Sequence, residues 1–431
     1  MEYYSTKNRN DSVTFRDAVM KGMPENGGLY MPESIPEIPQ GFLRSDAARS
    51  FKQVAYTVGS LFAGMDIPSD VLGTIVDEAF SFEAPLVRLN TTVSVMELFH
   101  GPTLAFKDFG ASFMARVMSH FNAFSSGELT ILAATSGDTG SAVAHAFYNV
   151  PGIRVVLLYP SGMVSTIQEK QLTTMGGNVT ALEITGTFDD CQNMVKKSFS
   201  DTRLRCDVRL TSANSINIAR LIPQMFYYIC AYAQLNSQHQ VIFSVPSGNL
   251  GNLCAGIFAM KAGVPVKQFV AANNSNCMFF DYLKTGIYRP RNTVSTISNA
   301  MDVGNPSNFE RIHALFHKSH EDIANHVTGF YYSDLQTIES IRSVYEEYGY
   351  IADPHSATAF QALRDYKHSD MQGIVLETAH PAKFRKNVES AIHKNIDMPR
   401  RLEACLKKPC ASIKMPPEYQ ILRDFLYAET I

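Results

Sequence analysis

Lys107 is the residue in this sequence best suited to act as a nucleophile. It stands in Glu97-Leu98-Phe99-His100-Gly101-Pro102-Thr103-Leu104-Ala105-Phe106-Lys107-Asp108-Phe109-Gly110-Ala111, past a Gly-Pro turn and within a run of apolar and aromatic residues. Burial disfavours an ammonium, so a lysine in apolar surroundings loses its proton more readily and becomes an amine able to attack carbonyls. An imine with pyridoxal 5'-phosphate (PLP) is the chemistry that most often needs such an amine. A solvated lysine at a helix start has the same local sequence, so the decision rests on the rest of the chain.

Four further stretches suit anions. In Pro246-Ser247-Gly248-Asn249-Leu250-Gly251-Asn252 the two glycines let backbone N–H groups converge where a strand opens into a helix. The Gly-x-x-Gly spacing is neither a Walker loop nor a dinucleotide fingerprint, and a tight turn that binds nothing would look the same. Thr135-Ser136-Gly137-Asp138-Thr139-Gly140 is a second polar strand-to-helix turn, suited to a carboxylate or phosphate or to simple capping. Asn214-Ser215-Ile216-Asn217-Ile218-Ala219-Arg220 brings two amides, a hydroxyl and an arginine together after a strand, and arginine prefers bidentate carboxylate or phosphate contacts. Thr378 lies between a strand end and a turn, where a hydroxyl could meet a ring nitrogen. Together with Lys107 these turns point to a phosphorylated cofactor and an anionic substrate.

The elements that must position these residues alternate. Residues 1 to about 90 read as mostly helical, with patterns near 46–64 and 69–81. A strand at 94–98 precedes the lysine stretch, and a helix is expected over 109–120. Strands at 129–134, 154–158, 179–184 and 207–211 then alternate with helices, and a second alternation has strands at 240–245, 266–271 and 373–377. Helices are expected over 309–326 and 334–348. Such alternation implies parallel sheets covered on both faces, with ligands at the strand C-termini. The expected fold class is α/β, with two parallel-sheet α/β domains and a mostly helical N-terminal region. The expected divisions are 1–92, a smaller α/β domain at 93–215 with Lys107 and the 136–140 turn, and a larger one at 216–431 with the phosphate loop.

Composition narrows the function. With 431 residues, 45% hydrophobic and 18% charged, the chain has enough material for sizeable cores. A formal net charge of −3 without a basic run argues against nucleic acid. No signal pattern opens the chain and no apolar run approaches membrane-spanning length, so no membrane partner and a cytoplasmic location are expected. Seven cysteines without C-x-x-C spacing read as reduced thiols. His313, His317 and His320 share a helical face but lack the H-E-x-x-H glutamate, which favours a solvated face over a metal.

The chain also resembles the threonine synthase family, PLP enzymes whose fold is like that of the tryptophan synthase β subunit. The resemblance runs through the opening Tyr-Tyr-Ser-Thr, Gly27-Gly28-Leu29-Tyr30-Met31-Pro32, the stretch Phe99 to Asp108, Ala134 to Gly140, Ala300-Met301-Asp302-Val303-Gly304-Asn305-Pro306-Ser307-Asn308 and Thr378-Ala379-His380-Pro381-Ala382-Lys383-Phe384. It covers nearly the whole chain and matches the longer form with an added N-terminal region. It implies that Lys107 is the Schiff-base lysine, and that Gly248, Asn249, Leu250, Gly251 and Asn252 cradle the cofactor phosphate. Thr378 is similar to the hydroxyl residue that meets the pyridine nitrogen, leaving the ring less protonated than an aspartate would. Asp138 stands where many relatives have an asparagine beside the phenolic oxygen. Thr135, Ser136, Thr139, Asn214, Ser215 and Arg220 match positions that hold the substrate's carboxylate and phosphate, with Asn249 also near that phosphate.

The implied reaction converts O-phospho-L-homoserine and water into L-threonine and phosphate, in a monomer or homodimer. Two other functions share these motifs: a phospholyase of the same family that releases an α-keto acid, and a non-catalytic relative that binds PLP or phosphoamino acids. An intact Lys107 and the full set of substrate residues speak against the second.

Overall fold

The computed structural model describes residues 1–125, 127–236, 240–366 and 371–428. Two parallel sheets dominate it. The six-stranded sheet runs in the order Val327–Tyr331, Val266–Asn273, Val241–Pro246, Gln372–Glu377, Val93–Glu97 and Leu86–Arg88, parallel except for the last, edge pair. The five-stranded sheet runs Ile413–Met415, Val179–Ile184, Ile153–Pro160, Leu129–Ala134 and Arg209–Thr211, all parallel. The central strands of both are continuous apolar runs with every residue buried, as parallel strands covered on two faces must be.

The helix Ile218–Leu235 stands at the centre of the largest core. It is apolar almost all round and nearly wholly buried, which a helix can be only when packed on several sides. Asn217 caps its start, its side chain accepting from Ala219 N at 3.0 Å. It crosses the lysine helix, Lys107–Asn122, at Gly110, where a Cβ would come within 2.7 Å of the Arg220 carbonyl. That glycine lets the two helices that carry Lys107 and Arg220 touch backbone to backbone.

Two expectations need correction, and a third gains a feature. The divisions at 93 and 215 do not follow the sheets: the strand Val93–Glu97 pairs with Gln372–Glu377, and Ile413–Met415 with Val179–Ile184. Sheet membership is settled by which strands lie side by side, not by chain order. The N-terminal region is mainly helical as expected, with Phe51–Ala63 and Ser69–Ala79, and it also opens with a small antiparallel sheet of Glu2–Ser5, Asn8–Thr14 and Tyr30–Pro32. The strand Asn8–Thr14 is exposed and polar, so it carries no alternating pattern to betray it. The helix expected over 309–326 breaks into Phe309–Leu315 and His320–His326 through left-handed His317 and Lys318, so the three histidines share no helical face. Among the described residues no helix is long and apolar enough to cross a membrane.

Candidate active site

The expected site residues gather where the C-terminal ends of both sheets meet. Lys107 is the first residue of its helix, which begins two residues earlier than the sequence pattern suggests. Its approach is zipped to the far end of the strand Gln372–Glu377: Phe106 N donates to Thr378 O at 2.9 Å, His380 N donates to Leu104 O at 3.0 Å, and Ala105 bridges Ala379. Two segments more than 270 residues apart thus place Lys107 beside Thr378. The loop before Lys107 is locked by Asp108, whose carboxylate accepts from Thr103 N at 2.8 Å and Thr103 Oγ1 at 2.6 Å. Gly101 is required there, since a Cβ would lie 2.5 Å from Asp108 Oδ2.

Burial lowers the Lys107 amine to about 8; Asp138 opposes the fall, while Lys383 and Arg220 add to it. The amino end of a helix disfavours a cation in the same sense. Among the described residues Lys107 forms no ion pair, and the nearest aromatic face to its Nζ is its neighbour Phe106, 5.1 Å away. Burial likewise raises Asp108 to about 6, against the hydrogen bonds from Thr103.

The 246–252 turn leaves its helix, Gly251–Lys261, without a side-chain cap and without an acid in the first turn. Leu250 adopts left-handed φ of 59° to turn the chain, which turns first-turn N–H groups outward. The loop is held from outside instead. Asn249 Nδ2 donates to Ser215 Oγ at 2.6 Å, Ser307 N donates to Asn249 Oδ1 at 2.6 Å, and Asn273 Nδ2 donates to Ser247 O at 2.6 Å. Gly248 lies under the 299–303 segment, where a Cβ would approach Met301 Cα to 2.6 Å. Asn252 receives hydrogen bonds from Tyr227 and Tyr228, while its buried Nδ2 has no partner.

The other turns are built differently. The Thr135 hydroxyl accepts from Gly137 N at 3.0 Å and Gly140 N at 2.8 Å, so it braces its own loop and is not a free contact for substrate. Ser136 and Thr139 are half-buried and make no hydrogen bond within the described residues. Arg220 is buried, donates one Nη1 bond to Ala213 O at 2.8 Å, and leaves Nε unpartnered; burial lowers it to about 10, with Asp108 opposing. Asn214 Oδ1 is also buried without a partner. Asp138 is engaged by Lys383 Nζ at 2.6 Å and Gln168 Nε2 at 2.9 Å. Burial pushes its carboxyl up, but Lys383, Lys107 and the hydrogen bonds hold it below the usual range.

Sequence reasoning missed several residues that position this set. Arg311, fully buried, donates to the carbonyls of Ser215 at 3.1 Å, Ile216, and Tyr30 at 3.2 Å, tying the N-terminal sheet to the 214–220 loop. Asn308 Nδ2 donates to Asn249 O at 3.1 Å. Ser356 Oγ accepts from Thr378 N at 3.0 Å and is itself held by Asp353. Asn308 and Lys383 lie in stretches that carry the family resemblance, whereas Arg311, Asp353 and Ser356 carry no local signal.

The arrangement fits PLP on its own observations: an uncapped helix start ready for a phosphate, an orphaned buried amide at Asn252, and a half-buried amine at Lys107 without an ion-pair partner among the described residues. Comparison with known proteins agrees. Residues 82–375 match the family model for pyridoxal-phosphate dependent enzymes, 2–80 the threonine synthase N terminus, and 356–426 the threonine synthase C-terminal model. The threonine synthase of Escherichia coli is 41% identical over 430 residues, 99% of each chain. Its crystal structure superposes with a TM-score of 0.93, covering 100% of both chains. A PLP-bound threonine synthase from Brucella melitensis, 33% identical, also gives 0.93, covering 100% of this chain and 99% of its own. A sequence likeness spread over both sheets and the N-terminal region, together with the cleft built around Lys107, leads to one assignment: the chain belongs to the threonine synthase family of PLP-dependent enzymes.

Proposed function

We propose that the chain converts O-phospho-L-homoserine and water into L-threonine and inorganic phosphate, the activity for which its relatives are named. The observation that carries this reading is an amine at Lys107 that forms no ion pair and holds its proton less tightly than an ordinary lysine, together with an uncapped helix start at Gly251 and unpartnered polar atoms on Asn214 and Arg220. One anion site is needed for the cofactor phosphate and another for the substrate.

Bound PLP supplies an electron sink that lets protons leave carbons next to the amino-bearing carbon. Gly248 to Asn252 would hold its phosphate and Thr378 would offer a hydroxyl to its ring nitrogen. Ser136, Thr139, Asn214, Ser215 and Arg220 bind the substrate's carboxylate and phosphate. Lys107, freed as a neutral amine, moves protons at the substrate's α and β carbons. The γ carbon loses phosphate and gains a proton, and water adds at the β carbon. Ser136 and Thr139 follow the five-stranded sheet while Asn249 follows the six-stranded one, so an anionic substrate gripped by both draws the two halves together and excludes stray water.

We further read the enzyme as cytoplasmic, acting as a monomer or homodimer. Incubating the purified protein with PLP and O-phosphohomoserine, and measuring threonine, phosphate and α-ketobutyrate, tests the reaction. Threonine and phosphate in equal amounts are expected. α-Ketobutyrate as the main product would make the enzyme a phospholyase, and no turnover would leave a binding protein.

A further inference from the structure

Lys107 is not alone in its cleft. Lys383 is fully buried, on the 3-10 turn Pro381–Phe384 just past the strand Gln372–Glu377. Its Nζ donates to Thr103 O at 2.9 Å and lies 2.6 Å from Asp138 Oδ1. It therefore joins three parts of the molecule: its own end of the six-stranded sheet, the loop that leads to Lys107, and the helix start behind the five-stranded sheet. The ion pair is sealed, with both side chains almost wholly out of water. Gln168, fixed by its own capping box with Ser165, donates to the same carboxylate oxygen at 2.9 Å.

Three carboxylates lie around Lys107, its neighbour Asp108, Asp138 and Asp353, and each is already engaged, Asp353 by His355 and Ser356. Asp108 is bound to the Thr103 hydroxyl and N–H. Asp138 is bound to Lys383. Asp353 stands at the start of the helix Pro354–Asp365, and Arg220, on the helix that crosses its own, also acts on Lys107. A buried carboxylate that found no partner would attract the nearest amine, and a charged lysine is neither nucleophile nor base.

We propose that Lys383 is a positioning residue for the reaction: by pairing with Asp138 it offsets that carboxylate's pull on the Lys107 proton and leaves the Lys107 amine without an ion-pair partner. The cleft thus holds two lysines with divided roles, one spent as a permanent counter-ion and one kept for chemistry. This deepens the function proposed above and rests on it only for the role of Lys107. Burial is the main cause of the Lys107 depression; Asp138 opposes it and Lys383 offsets part of that opposition, so removing either partner should move Lys107 in opposite directions.

The test measures proton loss from Lys107 directly, independent of turnover. The full-length chain is freed of PLP and labelled briefly with acetic anhydride across a pH series, and the acetylated fraction of the Lys107 peptide is read by mass spectrometry. Wild type is expected to show a midpoint near 8. Lys383→Met should raise the midpoint by about one pH unit or more, because Asp138 then turns to Lys107. Asp138→Asn, which keeps the shape and the Gln168 contact, should lower it, because Lys383 then stands uncompensated beside Lys107. Opposite shifts from the two halves of one ion pair are what a merely structural role would not produce. Equal or same-direction shifts, or none, would overturn the proposal. Should Lys383→Met not fold, Asp138→Asn decides alone, a fall supporting the proposal and a rise or no change refuting it. Failure here with threonine still formed would remove Lys383's role and leave the reaction standing.

Discussion

The two glycine-bearing turns at 135–140 and 246–252 have the same plan, a buried strand opening through glycine into a helix, and opposite electrostatics. At 246–252 nothing acidic stands in the first turn and no side chain caps it, so the helix end presents its positive pole bare. At 135–140 the Thr135 hydroxyl already holds two of the N–H groups, and Asp138 puts a carboxylate into the first turn. A phosphate dianion is attracted by the first turn and repelled by the second until Lys383 neutralises it. Likeness of pattern therefore does not mean likeness of ligand. What a turn binds depends on which of its donors are already spent.

This contrast supports the proposal that 246–252 holds the cofactor phosphate and that hydroxyl and amide groups elsewhere are left for the substrate, and mutations can break it. Removing the amine that both sides serve should have the largest effect. Lys107→Ala should fold and lose about 10²–10⁴-fold or more in turnover. Borohydride reduction with PLP followed by peptide mapping should then find no adduct, whereas wild type is labelled at 107; a wild-type adduct at Lys383 would disprove the assignment.

Arg220→Lys tests the substrate side. A point charge cannot reproduce the planar fork, so kcat/KM should fall by about 1.5–3 kcal/mol while PLP affinity holds. Spectroscopic PLP titration beside steady-state kinetics checks it, and an equal loss of PLP would move Arg220 to the cofactor. Gly248→Ala is the converse. Its Cβ would meet backbone at Met301 Cα, 2.6 Å away, so loop or segment must shift, at a cost of about 1–3 kcal/mol. PLP affinity should drop more than KM for substrate changes. A variant that binds PLP normally would separate Gly248 from the cradle.

The smallest effect is expected where the two sides join. Ser215→Ala removes the acceptor of Asn249 Nδ2, worth about 0.5–1.5 kcal/mol. Because Asn249 belongs to the cofactor loop and Ser215 to the substrate group, the variant should loosen closure and raise the share of α-ketobutyrate among products. Threonine and keto acid measured side by side decide this; an unchanged ratio in a slower enzyme would detach closure from the outcome.

Much of this was legible before the structure. The strands Leu129–Ala134 and Val179–Ile184 fall where their apolar runs place them, and the 246–252 turn opens a helix as its glycines require. Lys107 was identifiable from its apolar flanks. The exposed strand Asn8–Thr14 was not, because it is an edge strand whose polar, solvent-facing residues carry no period. Nor was the fate of Thr135, whose hydroxyl looks equally free in sequence whether it faces a substrate or its own loop.

Local composition alone determined which segments are strands, which turns can present N–H groups, and which lysine is surrounded by apolar neighbours, because those properties depend on residues within a turn or two. Tertiary structure alone decided which sheet each strand joins, that Phe106 meets Thr378, that Arg311 pins three distant carbonyls, and that Asp138 belongs to Lys383. Those are contacts between residues tens to hundreds of positions apart. Hydrogen bonds and buried charges are satisfied by whatever the fold brings within about 3 Å, and no short stretch of sequence records that.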